Sequence, residues 1–597
     1  MISRIDFPGT DGQRLRLEFS DPVEVLAAHA LDEVPAVIAE AERHARAGRW
    51  VVGFVAYEAA PAFDPALKVR PPAGFLPLAA FAVHDAPAAE EIQNRGLSSI
   101  SVPISMRWRM ATARDRILES IATLRRRIAD GDFYQVNLTT RLRADFSGDG
   151  RVLFEALRES QPEGWCAHLE GDGWAVLSVS PELFFDWKDG LLTTRPMKGT
   201  APRHADAASD AGAARAMHDS AKEQAENLMI VDLLRNDLAR VAETGTVRVP
   251  RLFEVVRLPT AWQMTSTVQC ETRAGTGLAD VFRALFPCGS VTGAPKVAAM
   301  TAIAELEESP RGAYCGAVGL IRPGGHAIFN VGIRTVVLKN APLAPCGRGV
   351  GGEGAFIAEC GLGSGIVFDS DVRDEFDEWL VKRRFLLRAT ASFELIETLR
   401  LEDGEHWLKD RHLERLAASA EHFGFGLDRT GVERSLDELS ERHPAGTWRV
   451  RLLLDRGGGV RTECFALEPA PDEVSAVLAD APIEGDGEFL RHKTAERSAY
   501  RCFDPPEGVF DTLLWNAEGE LTEFTRGNVV VELDGRRVTP PLACGLLPGV
   551  LRAELLACGE IHERVVRLEE LSAATGLWFI NSVRGWVKVS LPRTPPV

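Results

Sequence analysis

The ten cysteines of this sequence include no C-x-x-C pair. That absence argues against a structural zinc site and against a disulfide framework, and leaves the thiols as small hydrophobes for the core. No stretch approaches 18 consecutive apolar residues, and the opening MISRIDFPGTDGQRLRLEF lacks the apolar run of a secretory signal, so a cytoplasmic chain with no membrane partner is expected. Positive charge is also scarce: 68 Lys and Arg face 86 Asp and Glu, a formal net charge of -18. Nucleic acid is thereby disfavoured as a main partner, because phosphate binding needs clustered Lys and Arg, whereas a small anion can still be met by local arginines or a metal. Internal repeats and low-complexity tails are missing, and so is a G-x-C-x-G nucleophile turn with a downstream His-x-Glu, so no glutaminase within the chain is expected.

What is present is enough for more than one core. At 597 residues, 45% hydrophobic and 26% charged, the chain reads as soluble and multidomain, long enough for two enzymes. Residues 1–105 give mixed strand and helix signals and read as a scaffold or regulatory portion. Apolar spacing predicts a helix over 113–130, a strand after it through 146, one long amphipathic helix over 218–241 and another from Lys296. Residues 326–340 read as a strand pair or one long strand, 341–355 as a flexible connection, and 373–387 as a helix that closes a first large unit, 106–387. A polar linker, RATAS at 388–392, leads into a second unit, 393–597, which opens with two strand-like runs around Asp403 and Gly404.

Two glutamate pairs carry possible chemistry. Glu223 with Glu226, and Glu375 with Glu378, are each three apart on predicted helices, so each pair shares a face. Taken alone such pairs are solvated helix faces; brought together, four carboxylates would need a divalent cation, and Mg2+ suits hard oxygen ligands. Lys198, in TTRPMKGTAPR, has no neighbouring carboxylate in sequence.

The blocks KEQAENLMIVDLLRNDLARV, LFPCGSVTGAPKVAAMTAIAELE, NVGIRTVV and GLGSGIVFDSDVRDEFDEWLVK resemble, in order, those of the chorismate-utilising enzymes, the anthranilate synthase and aminodeoxychorismate synthase component I family, over about residues 110–385. The resemblance implies an α+β fold with large antiparallel sheets. It also implies Mg2+ held by Glu223, Glu226, Glu375 and Glu378, and chorismate bound by Arg334, Gln135, Thr292 and the backbone amides around Gly361, Gly363 and Gly365. Metal, arginine and oriented amides are what a dianion needs in an acidic protein. Within the family, water-adding members carry a lysine base where this chain has Gln135, and anthranilate synthases have alanine where it has Lys198. The resemblance therefore implies that Lys198 attacks C2 of chorismate in a covalent route completed by ammonia at C4, with Glu182 as acid/base; Lys198 must be neutral to attack. Gln263 stands where the family often has histidine, so no acid/base role is carried over there. Ammonia is expected from a separate glutamine amidotransferase subunit.

WLKDRHLERLAASAEHFGF, RHKTAERSAY, LTEFTRGNVVVE, LLPGVLRAELL and LWFINSVRGWVKV resemble the class IV aminotransferase family, including its 4-amino-4-deoxychorismate lyases, over about 393–597. This second resemblance implies a two-subdomain fold for pyridoxal 5'-phosphate (PLP), compatible with a homodimer through that unit. Lys493 would form the Schiff base and Glu523 would pair with the pyridine nitrogen. Arg415, the Val550 and Leu551 amides at a helix start, and Ser582 would hold the phosphate. Together the two resemblances imply synthesis of 4-aminobenzoate, a folate precursor: Mg2+-dependent amination of chorismate, then PLP-dependent loss of pyruvate. The alternatives are an anthranilate-type synthase joined to an amino-acid transaminase, or a binding protein with degenerate sites. GRGVGG at 347–352 and GSVTGAPK at 289–296 lack the context of nucleotide loops.

Overall fold

A computed structural model describes all residues except 10–12, 89–103, 105, 162, 203–206, 258–260, 342–354, 391–392, 470, 472, 484–486 and 592–597. The GRGVGG segment and most of the expected 341–355 connection lie outside the described residues. The chain forms two compact units, Met1–Ala391 and Ser392–Val597.

In the first unit, two antiparallel sheets face one another. Among the described residues one has nine strands and includes Gln135–Ser147, Ala355–Ile366, Thr335–Asn340 and Trp174–Ser180 as successive neighbours. The other has ten and includes Met197–Pro202, Ala261–Glu271, Leu191–Arg195, Leu183–Lys188 and Ala327–Val331 in that order. Ile5, Phe7, Leu17, Phe54, Val318 and Leu320 fill the space between the sheets. Helices cover both outer faces, so strands such as Trp174–Ser180 are buried on both sides along their whole length. The N-terminal residues are part of this frame: Ile2–Pro8 pairs with Trp165–Gly171, and Trp50–Val55 pairs with Ala317–Ile321.

Local boundaries depart from the sequence pattern in three places. The helix expected over 218–241 is two, Ala207–Asp219 and Ala221–Ala239, because Ser220 takes an extended backbone and caps the second with a bond to Glu223 N–H. The closing helix is likewise split into Val372–Lys382 and Arg384–Thr390, so Arg388 to Thr390 of the expected linker are helical. Residues 326–340 form two strands that do not pair with each other: Ala327–Val331 belongs to one sheet and Thr335–Asn340 to the other.

Among the described residues the second unit has two subdomains, built on sheets of four and eight strands. A four-stranded sheet carries helices Lys409–Phe423 and Arg429–Arg442 over a core of Leu399, Leu416, Leu436 and Val450, and its hairpin turns at Asp403 and Gly404 in the left-handed region. An eight-stranded sheet closes through the pairing of Leu521–Phe524 with Gly527–Leu533 into a barrel around Leu513, Phe524, Val529 and Phe579.

Candidate functional site

In the first unit the chain passes between the sheets twice side by side. One crossing, between Trp174–Ser180 and Leu183–Lys188, holds Glu182; the other, between Ala327–Val331 and Thr335–Asn340, holds Arg334. Val331 N–H donates to the Glu182 carbonyl (3.0 Å) and Val179 N–H to the Arg334 carbonyl (3.1 Å), so the crossings are stitched together. Arg334 adopts φ +48°, a conformation non-glycine residues seldom take and one that functional sites concentrate. Its guanidinium donates to Gln161, and burial together with Arg388 pulls its pKa down to about 10.

Lys198 lies on Met197–Pro202, the strand that ends its sheet, opposite Met264. A Cβ built on Gly365 would stand 2.6 Å from Gln135 Nε2 and 2.9 Å from Lys198 Nζ, so these two side chains meet over a glycine. Gln135 is fully buried, and among the described residues neither its amide nitrogen nor its amide oxygen has a partner. Glu182 is buried too, with one carboxyl oxygen unpartnered. Burial pushes Glu182 up to about 7, against the opposing pull of a Ser290 hydrogen bond, the Lys198 charge and the Met197 N–H. Buried polar atoms without a partner among the described residues are costly unless a ligand completes them.

The glutamates approach this point unequally. Glu223 lies against Gly199, and its pKa is raised by burial and then by repulsion from Glu226, with Glu378 adding to it. For Glu378 burial opposes ionisation, but Lys382 at 2.6 Å, Lys198 and Lys222 hold it below the ordinary value. Glu375 is buried and accepts from the Ser364 and Ser370 hydroxyls. Among the described residues no three His, Cys, Asp or Glu stand close enough to hold an ion as placed.

The remaining expected contacts are redistributed. The Thr292 hydroxyl donates to the Cys288 (3.1 Å) and Gly289 (3.3 Å) carbonyls, closing its own turn. The place of a side chain on Gly361 is filled by the Tyr314 ring, 2.1 Å from a built Cβ. Gly363 packs on the Leu138 carbonyl and accepts at its own carbonyl from Lys382 (3.1 Å). Beyond Cys360 the strand leaves Thr335–Asn340 and, among the described residues, pairs with Gln135–Ser147 alone, so one edge of 361–366 has no ladder partner there. Lys382 and Ser290 are the residues sequence reasoning missed; Lys382 was legible, four residues after Glu378 on one helix.

In the second unit Lys493 is bound by its carbonyl to Ile396 N–H (2.9 Å) at the edge of the four-stranded sheet. Burial and the nearby Arg415 bring its pKa down to about 8. Glu523, on a barrel strand, is buried and pushed up to about 8, opposed by bonds from Tyr500 (2.8 Å) and Leu547 N–H (3.2 Å). Arg415 is bidentate to Glu397 (2.9 and 2.7 Å) and donates to the Pro548 carbonyl (3.1 Å), which places it at the start of helix Val550–Ala557 with Val550 and Leu551. Gly549 is required at that turn, since a Cβ would lie 1.8 Å from Asn528 Oδ1. Ser582 is buried just past strand Gly576–Asn581. Tyr500 was missed, although the chain has only four tyrosines and one follows Lys493 closely.

Residues 9–388 match the chorismate binding enzyme family, and residues 394–591 the amino-transferase class IV family. The aminodeoxychorismate synthase component 1 of Klebsiella aerogenes is 40% identical over 285 residues, 48% of this chain and 60% of the relative. That of Escherichia coli K12 is 37% identical over 281 residues, 47% of this chain and 59% of the relative; the chain thus spans about 60% of these relatives. The anthranilate synthase component 1 of Streptomyces coelicolor is 33% identical over 438 residues, 66% of this chain and 82% of the relative. The crystal structure of a Bacillus anthracis protein assigned as a 2,3-dihydroxybenzoate-specific isochorismate synthase shares the fold, with TM-score 0.51 at 19% identity, over 65% of this chain and 95% of that one.

Proposed function

Because this chain belongs to the chorismate-binding enzyme family and continues into a class IV amino-transferase domain, we propose that the first unit aminates chorismate and the second removes pyruvate from the product, leaving 4-aminobenzoate. The observation that best supports the first step is the Lys198 amine lying with Gln135 over Gly365, while Glu182 is half-protonated near neutral pH. Lys198 bonds to C2 of chorismate as the C4–O bond breaks. Glu182 gives its proton to the departing oxygen, which leaves as water; a pKa near the working pH favours that transfer. Ammonia then bonds to C4 as the C2–N bond breaks and frees the lysine. Gln135, neutral at every working pH, cannot activate water, which disfavours a water-adding outcome.

Glu223, Glu226, Glu375 and Glu378 would hold Mg2+: they are hard oxygen donors, and burial followed by repulsion from Glu226 and Glu378 raises the Glu223 pKa, a strain that a divalent cation would relieve. Mg2+ there supplies charge neutralisation for a substrate carboxylate. Ammonia is supplied by a separate glutamine amidotransferase, a reading supported by the component 1 relatives.

The second unit fits PLP: a buried amine, a buried carboxylate for the ring nitrogen, and Arg415 beside a helix start meet in one unit. PLP when bound supplies an electron sink for carbanion chemistry. Lys493, with its lowered pKa, takes and returns the proton; Tyr500 and Leu547 N–H orient Glu523.

The test is to incubate the protein with chorismate, Mg2+, PLP and ammonium and identify the aromatic product. We expect 4-aminobenzoate and pyruvate. Anthranilate as the product would favour the anthranilate-type alternative and sink the synthase assignment; amination without pyruvate release would sink the lyase half.

A further inference from the structure

The strand that carries Lys198 is irregular. Opposite Ala261–Glu271 the register runs Met197 to Thr265 and Lys198 to Met264, then resumes at Thr200 to Gln263, so Gly199 is an extra residue with no partner across the ladder. Gly199 adopts φ +78°, as the αL residue of a β-bulge does, and a built Cβ would lie 2.4 Å from Glu223 Oε2. Bulges re-aim the neighbouring side chain, but they also leave backbone groups outside the ladder.

Both neighbours of Lys198 are tied by side chains. On one side Met197 N–H donates to the Glu182 carboxyl. On the other, the Gly199 carbonyl accepts from Gln263 Nε2 at 2.6 Å. Lys198 itself therefore stands between two side-chain clamps, one of them the candidate acid.

We propose that Gln263 is a positioning residue for Lys198, its amide fixing the Gly199 bulge so that the lysine amine is held in register with Glu182. The family often has histidine at this position, and Gln263 needs no acid/base role there: a neutral donor to a backbone carbonyl is sufficient. This inference rests on the reading of Lys198 as the nucleophile, and the two are separable by experiment.

Gln263→Met keeps the length of the side chain and removes the donor; Gln263→His restores an N–H. Backbone amide exchange over 196–201 in the free enzyme tests the clamp without reference to activity, and we expect faster exchange in Gln263→Met with partial restoration in Gln263→His. Intact-protein mass spectrometry after mixing with chorismate and Mg2+, without ammonium, reads the covalent adduct. Its formation in Gln263→Met should slow about 10- to 100-fold, the effect of a misplacement near 1 Å, while KM for chorismate changes less than about threefold. Unchanged exchange in Gln263→Met overturns the clamp. Faster exchange with wild-type adduct formation overturns its role in positioning the amine. Lys198→Ala, run alongside, addresses the underlying reading: product formed by that variant removes Lys198 as nucleophile and leaves the exchange result to judge the clamp alone. Should Gln263→Met not fold, Gln263→Asn, which shortens the donor's reach, is read in the same two ways.

Discussion

Glu182 and Arg334, far apart in sequence, sit on adjoining crossings between the two sheets of the first unit, each with its carbonyl bound to the other's strand: Val331 N–H to Glu182 and Val179 N–H to Arg334. A buried carboxyl and a half-buried guanidinium are thus fixed on one seam by backbone, so their geometry does not depend on a flexible loop.

Glu182 should impose a pH dependence on both rate and stability. Its folded pKa, about 7, lies above the ordinary 4.5, so the folded state binds more protons and its stability falls as pH rises from about 4.5 through 7. Above pH 7 the penalty reaches about 3 kcal/mol at most. Glu182→Gln should therefore unfold at higher denaturant than the parent at pH 8 and at similar denaturant at pH 4. Amination by the parent should fall above about pH 7 as the acid loses its proton. A flat rate profile from pH 6 to 9 would count against Glu182 as the acid.

Gly365→Ala inserts a methyl where Gln135 Nε2 and Lys198 Nζ now lie. Both atoms end flexible side chains and can move, so the thermal melt should shift little. Adduct formation with chorismate should drop by about 100-fold, because displacement of the amine, not loss of fold, is the consequence. A variant that melts normally and reacts at the parental rate would show that the amine does not work from this position.

Lys296 and Asp237 form a buried ion pair at 2.8 Å between helices Lys296–Leu306 and Ala221–Ala239, the second of which carries Glu223 and Glu226. Lys296→Met leaves Asp237 buried and unpaired and should destabilise the first unit by about 3 kcal/mol. Urea unfolding measures this, and Lys296→Met with Asp237→Leu should recover part of the loss. Equal destabilisation by the single and double variants would mean the pair adds nothing beyond packing.

Tyr500→Phe removes a 2.8 Å hydrogen bond to Glu523. A bond to a carboxylate is worth roughly 1.5–3 kcal/mol, so PLP affinity should fall by about tenfold or more in a titration followed at the visible absorbance of the cofactor. Lys493→Ala is the companion: it should abolish the visible band of the lysine-linked cofactor. Parental PLP affinity in Tyr500→Phe would remove Tyr500 from the cofactor's support.

Much of the site was legible from residues that carry chemistry of their own. Lys198, Glu182 and Gln135 differ from alternatives in charge and proton affinity, and their motif context named them before any coordinate did. The large antiparallel sheets were expected from the resemblance to the chorismate-utilising enzymes, and the structure has them. Residues that act through geometry were less visible. That the Thr292 hydroxyl closes its own turn, and that the Tyr314 ring fills the space beside Gly361 so that glycine is needed there, could not be read from the sequence. The break at Ser220 escaped because hydrophobic periodicity continues across it, while a single extended backbone ends the helix.

By itself the sequence marked the restart near residue 392 that separates the two units and, through its motif blocks, named the candidate reactive side chains, because these depend on residue type and order along the chain. Only the tertiary structure decided which of those groups meet. The seam of Glu182 and Arg334, the Gly199 bulge clamped by Gln263 and the engagement of Glu375 with two serines arise from contacts between distant strands and helices, which local spacing does not encode.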